Sequence, residues 1–211
     1  MDSLPVIVAV ASSAGDLEAV SELLSALPAE YGAALIIVQH RDSDRQRLLE
    51  ALSPRTILPV SCAHDGVIAE QDHVYVMSAN TTLTMSGGRI RVTPKAGGPH
   101  HPGDILFTSL AEERRDRAIG VVLSGEGSDG ALGIQAIKQG GGATLAQSPG
   151  SARFPSMPIN AIETGCVRFV LRPNEIAHEL VRLSGVSHAD LGTIASPGPE
   201  WASQRLKSLA L

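Results

Sequence analysis

Hydrophobic and polar positions follow two patterns along the first quarter of the chain. Pro5–Ala11 and Ala33–Gln39 are continuous apolar runs rich in β-branched residues, typical of strands buried on both faces of a parallel sheet. Apolar residues at helical spacing follow each run, over Gly15–Leu27 and Asp44–Leu52. This strand–helix–strand–helix order predicts parallel strands joined by right-handed crossovers.

The middle of the chain changes pattern before the alternation resumes. His73–Met77, Thr81–Met85 and Arg89–Val92 alternate apolar and polar residues between turn residues, and this predicts short antiparallel strands. The elements predicted after them are helix Asp104–Arg114, strand Ala118–Leu123, helix Asp129–Gln139, strand Ala143–Ala146, a short helix near Pro158–Thr164, strand Val167–Val170 and helix Pro173–Leu183.

The pattern therefore predicts an α/β fold, a doubly wound, mostly parallel sheet with a small antiparallel β insertion. Residues 1–185 are expected to form one domain, and residues 186–211 a polar linker and a C-terminal helix. A chain of 211 residues with 43% hydrophobic residues is long and apolar enough for one core, which excludes wholesale disorder.

Charge and cysteine content exclude several classes of protein. The net charge is −5 and no run of Lys or Arg occurs, so nucleic acid is not expected as a partner. Cys62 and Cys166 show no CxxC spacing, which argues against a disulfide framework or a thiolate zinc site and indicates a cytoplasmic location. The first residues predict neither a signal peptide nor a transmembrane helix, so no membrane insertion is expected.

Three reactive side chains follow three predicted strands. Ser13, His40 and Asp129 come just after the first strand, the second strand and Ala118–Leu123, and parallel strands bring such positions to one sheet edge. Singly, each is more simply explained as an N-cap serine, a buried histidine or a helix-start acid. Together they predict a nucleophile, a general base and an orienting carboxylate.

The residues around Ser13 favour this interpretation over a nucleotide site. Ser13 lies in Ala11-Ser12-Ser13-Ala14-Gly15, where small neighbours permit a sharp strand-to-helix turn like a nucleophile elbow. The helix that follows would aim backbone N–H groups at a developing oxyanion. A dinucleotide fingerprint needs more glycines than this turn contains, and GxxxxGK[ST] is absent.

Six segments resemble the catalytic domain of the chemotaxis protein-glutamate methylesterases (CheB). The three that correspond to active-site segments are VAVASSAGDLEAV, IIVQHRDSD and VVLSGEGSDGALG, and the three intervening ones are DGVIAEQDHVYVM, GPHHPGDILFTSLAE and PSMPINAI. The resemblance spans roughly residues 5–184 and implies a triad of Ser13, His40 and Asp129. It selects Ser13 rather than Ser12, because SAGDLEA matches the family's pattern from the second serine.

The resemblance also implies an activity and partners. Family members hydrolyse γ-glutamyl methyl esters on the cytoplasmic helices of methyl-accepting chemoreceptors, releasing methanol, and can deamidate receptor glutamines; no metal or organic cofactor is implied. The SGxGSDG form resembles esterases fused to methyltransferase and sensory modules, which, with the chemotaxis kinase, are further expected partners. Regulated members carry a receiver domain that is not found in these 211 residues, so phosphorylation control within them is not expected.

Two alternatives stay open, and the chain departs from the family pattern at Ala11, Asp16, His101 and Glu126. A catalytically weak receptor-binding module, or a serine esterase or deamidase acting on another protein, would keep the same segments. The resemblance makes the backbone N–H groups of Ala14, Gly125, Glu126 and Gly127 the expected oxyanion donors. Glu126 stands where the family usually has an uncharged residue, and a carboxylate facing the site would oppose the oxyanion, so we expect it to point outward.

Overall fold

The structure is a computed structural model that describes residues 5–13, 17–39, 45–98 and 100–185, with the backbone alone described for residues 45–47. Strands and helices alternate through most of this part of the chain. The strands are β1 (Val6–Ser12), β2 (Ala33–Gln39), β3 (Val60–Cys62), β4 (Val74–Val76), β5 (Thr81–Ser86), β6 (Arg89–Pro94), β7 (Ala118–Val122), β8 (Ala143–Gln147) and β9 (Phe169–Leu171). The α-helices are α1 (Leu17–Ser25), α2 (Arg45–Leu52), α3 (Pro102–Arg114), α4 (Ala131–Gln139), α5 (Ser156–Glu163) and α6 (Pro173–Leu183).

Seven strands form one parallel sheet in the order β3-β4-β2-β1-β7-β8-β9. β1 is the central strand, and the chain winds from it first towards β2, β4 and β3 and later towards β7, β8 and β9. The order thus reverses between β1 and β7, the kind of position where parallel α/β sheets place their ligands, beyond the carboxyl ends of the strands. The predicted doubly wound sheet is confirmed.

Both faces of the sheet are covered, because alternate residues of each strand enter different cores. From β1, Val8 and Val10 join α1, α2 and α6 in one core, while Ile7 and Ala9 join α3, α4 and α5 in the other. β1 and β2 are therefore buried along their whole length, which explains their continuous apolar sequences. None of the described helices has the length and apolar character needed to cross a bilayer.

The antiparallel insertion is smaller than predicted. β5 and β6 form an antiparallel hairpin, as expected, but the predicted antiparallel strand His73–Met77 is wrong: β4 runs parallel between β2 and β3. The sequence pattern was misinterpreted at Tyr75, because its ring is buried while its hydroxyl donates to Ile68 O and accepts from Glu70 N–H. β3, which was not predicted, is only three residues long.

Other predicted elements differ from the structure mainly at their ends. The helix predicted from Asp129 begins at Ala131, because Gly130 takes a left-handed conformation (φ 90°) and leaves Asp129 in the preceding loop. The short helix predicted near Pro158–Thr164 begins earlier, at Ser156. The linker and helix predicted for residues 186–211 lie outside the described residues, so the domain division stays a prediction.

Candidate functional site

Ser13 lies directly beyond β1, at the carboxyl edge of the sheet. Its side chain and backbone are almost fully buried, with 3% of the residue exposed. Its N–H donates to Ser124 O at 3.2 Å, and Leu123 N–H donates to Ala11 O at 2.9 Å. The β1–β7 pairing therefore continues past both strands and joins Ser13 to the start of the loop that follows β7.

Gly125 is the residue of that loop closest to Ser13. A Cβ added to Gly125 would lie 2.9 Å from Ser13 Cβ and 3.1 Å from Ser13 N, and would run into Met157 Sδ. Its N–H donates to Phe154 O at 2.8 Å, and its carbonyl accepts from Met157 N–H at 3.0 Å. Glycine is required here because the backbone of the loop lies against the candidate nucleophile.

The loop after β7 is anchored by residues that the sequence did not single out. Ser124 N–H donates to Gln147 Oε1 at 2.8 Å, and Ser124 Oγ accepts from Phe154 N–H at 2.9 Å. Further along, Gly127 N–H donates to Ser156 Oγ at 3.1 Å and Gly127 O accepts from Asn160 Nδ2 at 2.7 Å. Only the resemblance of PSMPINAI to the family pointed towards this support.

Asp129 is buried at the end of the same loop, with 1% of the residue exposed. Its Oδ2 accepts from Gly103 N–H and its Oδ1 from Asp104 N–H, each at 3.0 Å. These are N–H groups of the first turn of α3, so the carboxylate lies at the positive end of that helix. The start of α3 therefore holds both oxygens of the Asp129 carboxylate.

Asp129 and Ser13 belong to one edge of the sheet. A Cβ added to Gly103 would lie 2.8 Å from Ala11 Cβ and 3.1 Å from Asp129 Oδ1. Asp129 therefore lies close to β1 near Ala11, two residues before Ser13. The convergence of the Asp129 and Ser13 side chains stays a prediction.

His40 and Ala14 fall outside the described residues, so their parts in the site stay predictions. The residue before His40, Gln39, pairs in register with Ser12, the residue before Ser13. β1 and β2 thus end at the same level of the sheet. A histidine directly after β2 can act on Ser13 only if the two strands end together, and this register meets that requirement.

Asp104 is a second acid in the site. Its Oδ1 accepts from Gly133 N–H at 2.9 Å. Burial raises the pKa of this carboxyl group above its ordinary value and the charge of Asp129 raises it further, whereas the hydrogen bond from Gly133 opposes the shift. Asp104 therefore keeps its position at an electrostatic cost.

His101, Asp104 and Asp129 could be considered as metal ligands, because their ligand atoms lie within 4.8 Å of one another. The carboxylates already have another role, since both Asp129 oxygens and Asp104 Oδ1 accept backbone N–H groups of helix starts. Helix capping therefore accounts for the positions of the two carboxylates.

Glu126 is exposed, together with Gly127 and Ser128. This agrees with the expected outward orientation of its carboxylate. The loop thus presents a buried glycine to Ser13 and an acid to its surroundings.

Comparisons with known proteins match this architecture. The CheB methylesterase family model matches residues 8–180. A protein-glutamate methylesterase/protein-glutamine glutaminase of Cupriavidus metallidurans is 37% identical over 185 residues, 86% of this chain and 55% of the relative. Another of Myxococcus xanthus is 38% identical over 156 residues, 73% of this chain and 44% of the relative.

A solved structure agrees with the sequence comparisons. The crystal structure of the Thermotoga maritima CheB methylesterase catalytic domain superposes with a TM-score of 0.77 at 26% identity, covering 85% of this chain and 98% of that domain. The chain spans about half the length of the curated relatives it matches. Since the family model matches most of the chain, from β1 into α6, this protein belongs to the CheB methylesterase family.

Proposed function

We propose that this protein is a protein-glutamate methylesterase that hydrolyses γ-glutamyl methyl esters on chemoreceptor helices in bacterial chemotaxis. The observation that carries the proposal is the contact between Ser13 and the Gly125 backbone, with the buried Asp129 carboxylate on the same sheet edge. A serine packed against a loop backbone, with an acid on the same sheet edge to orient a histidine base, is the arrangement that acyl transfer by a triad uses.

The proposed mechanism uses Ser13, His40 and Asp129. His40 accepts the Ser13 hydroxyl proton while the oxygen attacks the ester carbonyl, and Asp129 stabilises the imidazolium. His40 then gives this proton to the departing methoxide, so methanol leaves and a glutamyl–serine ester remains. Water, deprotonated by His40, hydrolyses that ester to glutamate and free Ser13. General base catalysis contributes about 10²–10⁴ in rate.

The oxyanion is proposed to be stabilised by backbone N–H groups at the turn after β1 and in the loop after β7, where Ala14, Gly125, Glu126 and Gly127 are the expected donors. In the folded chain the N–H groups of Gly125 and Gly127 donate to Phe154 O and Ser156 Oγ. One donor aimed at the tetrahedral oxyanion is worth about 10²–10³ in kcat.

The same chemistry extends to glutamine, where ammonia leaves instead of methanol. The relatives of Cupriavidus metallidurans and Myxococcus xanthus are named for both activities, and this supports receptor glutamines as second substrates. Chemoreceptor cytoplasmic helices are therefore the proposed partners, with the cytoplasm as the location. Attachment to a chemotaxis kinase, a methyltransferase or sensory modules remains a prediction.

Methanol release from a methylated receptor fragment tests this function. The wild type should release methanol, and Ser13→Ala should lower the rate at least about 10³-fold, as loss of a catalytic serine does. The matched control is the neighbouring Ser12→Ala. In the wild type the Ser12 hydroxyl accepts from Gln39 Nε2 at 3.4 Å within the sheet. Ser12→Ala should retain turnover within about tenfold, because it removes only one weak, uncharged hydrogen bond.

Other outcomes would contradict the proposal. Binding of the receptor fragment without methanol release would identify a receptor-binding module. Hydrolysis of a small methyl ester, with none on the receptor, would indicate another protein substrate. Loss of activity in Ser12→Ala but not in Ser13→Ala would identify Ser12, and not Ser13, as the nucleophile.

A further inference from the structure

Helices α3 and α4 begin without a cap from their own N-cap residues. His101 precedes α3 and Gly130 precedes α4, and neither provides a side-chain hydrogen bond to its helix. A helix start leaves several N–H groups that need acceptors, especially in a buried site. The acceptors must therefore come from elsewhere.

The start of each helix is capped by an acid that belongs to the other helix or to the loop just before it. The first-turn N–H groups of α3, from Gly103 and Asp104, donate to Asp129, which lies two residues before α4. In return, Gly133 N–H in the first turn of α4 donates to Asp104, a residue of α3. The two helices thus exchange their caps.

We propose that Asp104 is a positioning residue, which holds Asp129 in place by fixing the start of α4 against the start of α3. This inference rests on the proposed function for its effect on catalysis. Asp104 is joined to Asp129 through its own N–H and to Gly133 through its carboxylate. The loop that carries Asp129 is therefore attached to α3 on both sides of Gly130.

The exchange leaves little room for Asp129 to move. Gly103 lies so close that an added Cβ would be 3.2 Å from Asp129 Cγ. If the carboxylate of Asp104 is lost, the Gly133 N–H loses its acceptor and the start of α4 is free to shift, taking the loop with it. Displacement of a catalytic group by about 1 Å can lower a rate about 10²-fold.

Two variants of Asp104 and one control test the proposal, with kcat and KM measured by methanol release. Asp104→Ala removes the acceptor for Gly133 N–H, whereas Asp104→Asn keeps a side-chain oxygen in its place. The control Glu175→Ala removes a first-turn acid that accepts from Arg172 N–H at 2.9 Å at the start of α6. Both alanine variants lose a helix cap, but only Asp104 is bonded to Asp129.

We expect Asp104→Ala to lower kcat by about 10- to 100-fold and to leave KM within about twofold. Asp104→Asn should retain kcat within about threefold, because the oxygen that accepts the hydrogen bond remains. Glu175→Ala should keep the wild-type kcat. A role limited to stability would lower the melting temperature of both alanine variants without separating their kcat values.

Amide hydrogen exchange gives a readout that does not depend on activity. The Gly103 amide should exchange at least about tenfold faster in Asp104→Ala than in the wild type, since its acceptor Asp129 is no longer held. Unchanged exchange at Gly103, unchanged kcat in Asp104→Ala, or a defect in Asp104→Asn as large as that in Asp104→Ala would each overturn the inference. A wild type without turnover would overturn the proposed function, and the Gly103 amide would then decide the positioning role by itself.

Discussion

Helices α3 and α6 begin with the same classes of residue and use them differently. α3 starts Pro102-Gly103-Asp104 and α6 starts Pro173-Asn174-Glu175. In α6 the acid turns back, and Glu175 accepts from Arg172 N–H at 2.9 Å and from the Arg172 guanidinium at 2.8 Å. In α3 the acid is directed away from its own helix, towards Gly133 of α4.

The two acids also differ in their electrostatics. Hydrogen bonding to Arg172 lowers the pKa of Glu175, so its charged form suits the folded state. Burial raises the pKa of Asp104, so its charged form does not. At the start of α6 the acid is thus used in a favourable interaction within its own helix. At the start of α3, beside the candidate site, the acid is held in an electrostatically unfavourable position where it caps another helix, as often happens at functional sites.

The largest effect is expected where the loop after β7 contacts the nucleophile. Gly125→Ala should lower the free energy of unfolding by about 2–3 kcal/mol, because its Cβ would overlap Met157 and crowd Ser13. Turnover should fall with it, since Ser13 has to move. Urea denaturation and methanol release measure the two effects, and Gly150→Ala, at a glycine with open space around it, is the control that should change neither.

The second position of each helix provides the next comparison. Gly103→Ala should lower the free energy of unfolding by about 1–2 kcal/mol, because Ala11 Cβ would lie 2.8 Å from the new methyl group. Asn174→Ala loses only a local bond to Glu175 N–H, which better helix propensity offsets, so its change should stay within about 0.5 kcal/mol. Equal losses in urea denaturation would show that the start of α3 is no more constrained than that of α6.

A double-mutant cycle sharpens the contrast between exchanged and local caps. Asp104→Ala and Asp129→Ala should be coupled by at least about 0.5 kcal/mol in the free energy of unfolding, because the two residues belong to one hydrogen-bond network. Asp104→Ala and Glu175→Ala should be additive within about 0.3–0.5 kcal/mol. Additivity in both pairs, measured by urea denaturation, would contradict the cap exchange.

The smallest expected effect is a difference in pH dependence. The contribution of Glu175, whose folded pKa lies below the ordinary 4.5, is present above that value and is lost as the pH falls through the folded pKa. Asp104, whose folded pKa lies above the ordinary 3.8, has the opposite sign: it binds its proton more tightly when folded, so its contribution declines as the pH rises from that value through the folded pKa.

Urea denaturation at a series of pH values checks these signs. Relative to the wild type, Glu175→Gln should be less stable at neutral pH by about 0.2–1 kcal/mol, as expected for an exposed pair, and the difference should vanish in acid. Asp104→Asn should gain relative stability as the pH rises. Parallel pH curves for the two variants would remove the electrostatic contrast between the helix starts.

Much of the fold could be predicted because its signals are local. The continuous apolar runs of β1 and β2, and the Pro-x-acid start of α6, are each legible within a few residues. β4 was misassigned because the burial of Tyr75 depends on partners elsewhere in its loop. β3 was missed because three residues carry too little periodicity to predict a strand.

The residues of the candidate site also divide into those with a local sequence signal, which were predicted, and those without one, which were missed. Ser13, Asp129 and the glycines of the loop after β7 were predicted because each follows a predicted strand. Gly103, Asp104 and Phe154 were missed because their roles depend on neighbours brought close only by the folded sheet. A helix start with Pro at its first position and an acid at its third gives no sign of which helix that acid will cap.

The central place of β1 has a consequence for how the molecule assembles. The cap exchange joins residues 26 and 29 positions apart, within one continuous stretch of chain, whereas Ser13 meets Gly125 only after β1 has paired with β7. Contacts distant along the chain form slowly, because a long loop has to close first. The two helix starts can therefore meet after closure of a short loop, whereas the contact between Ser13 and Gly125 has to wait until β1 and β7, more than a hundred residues apart, have paired.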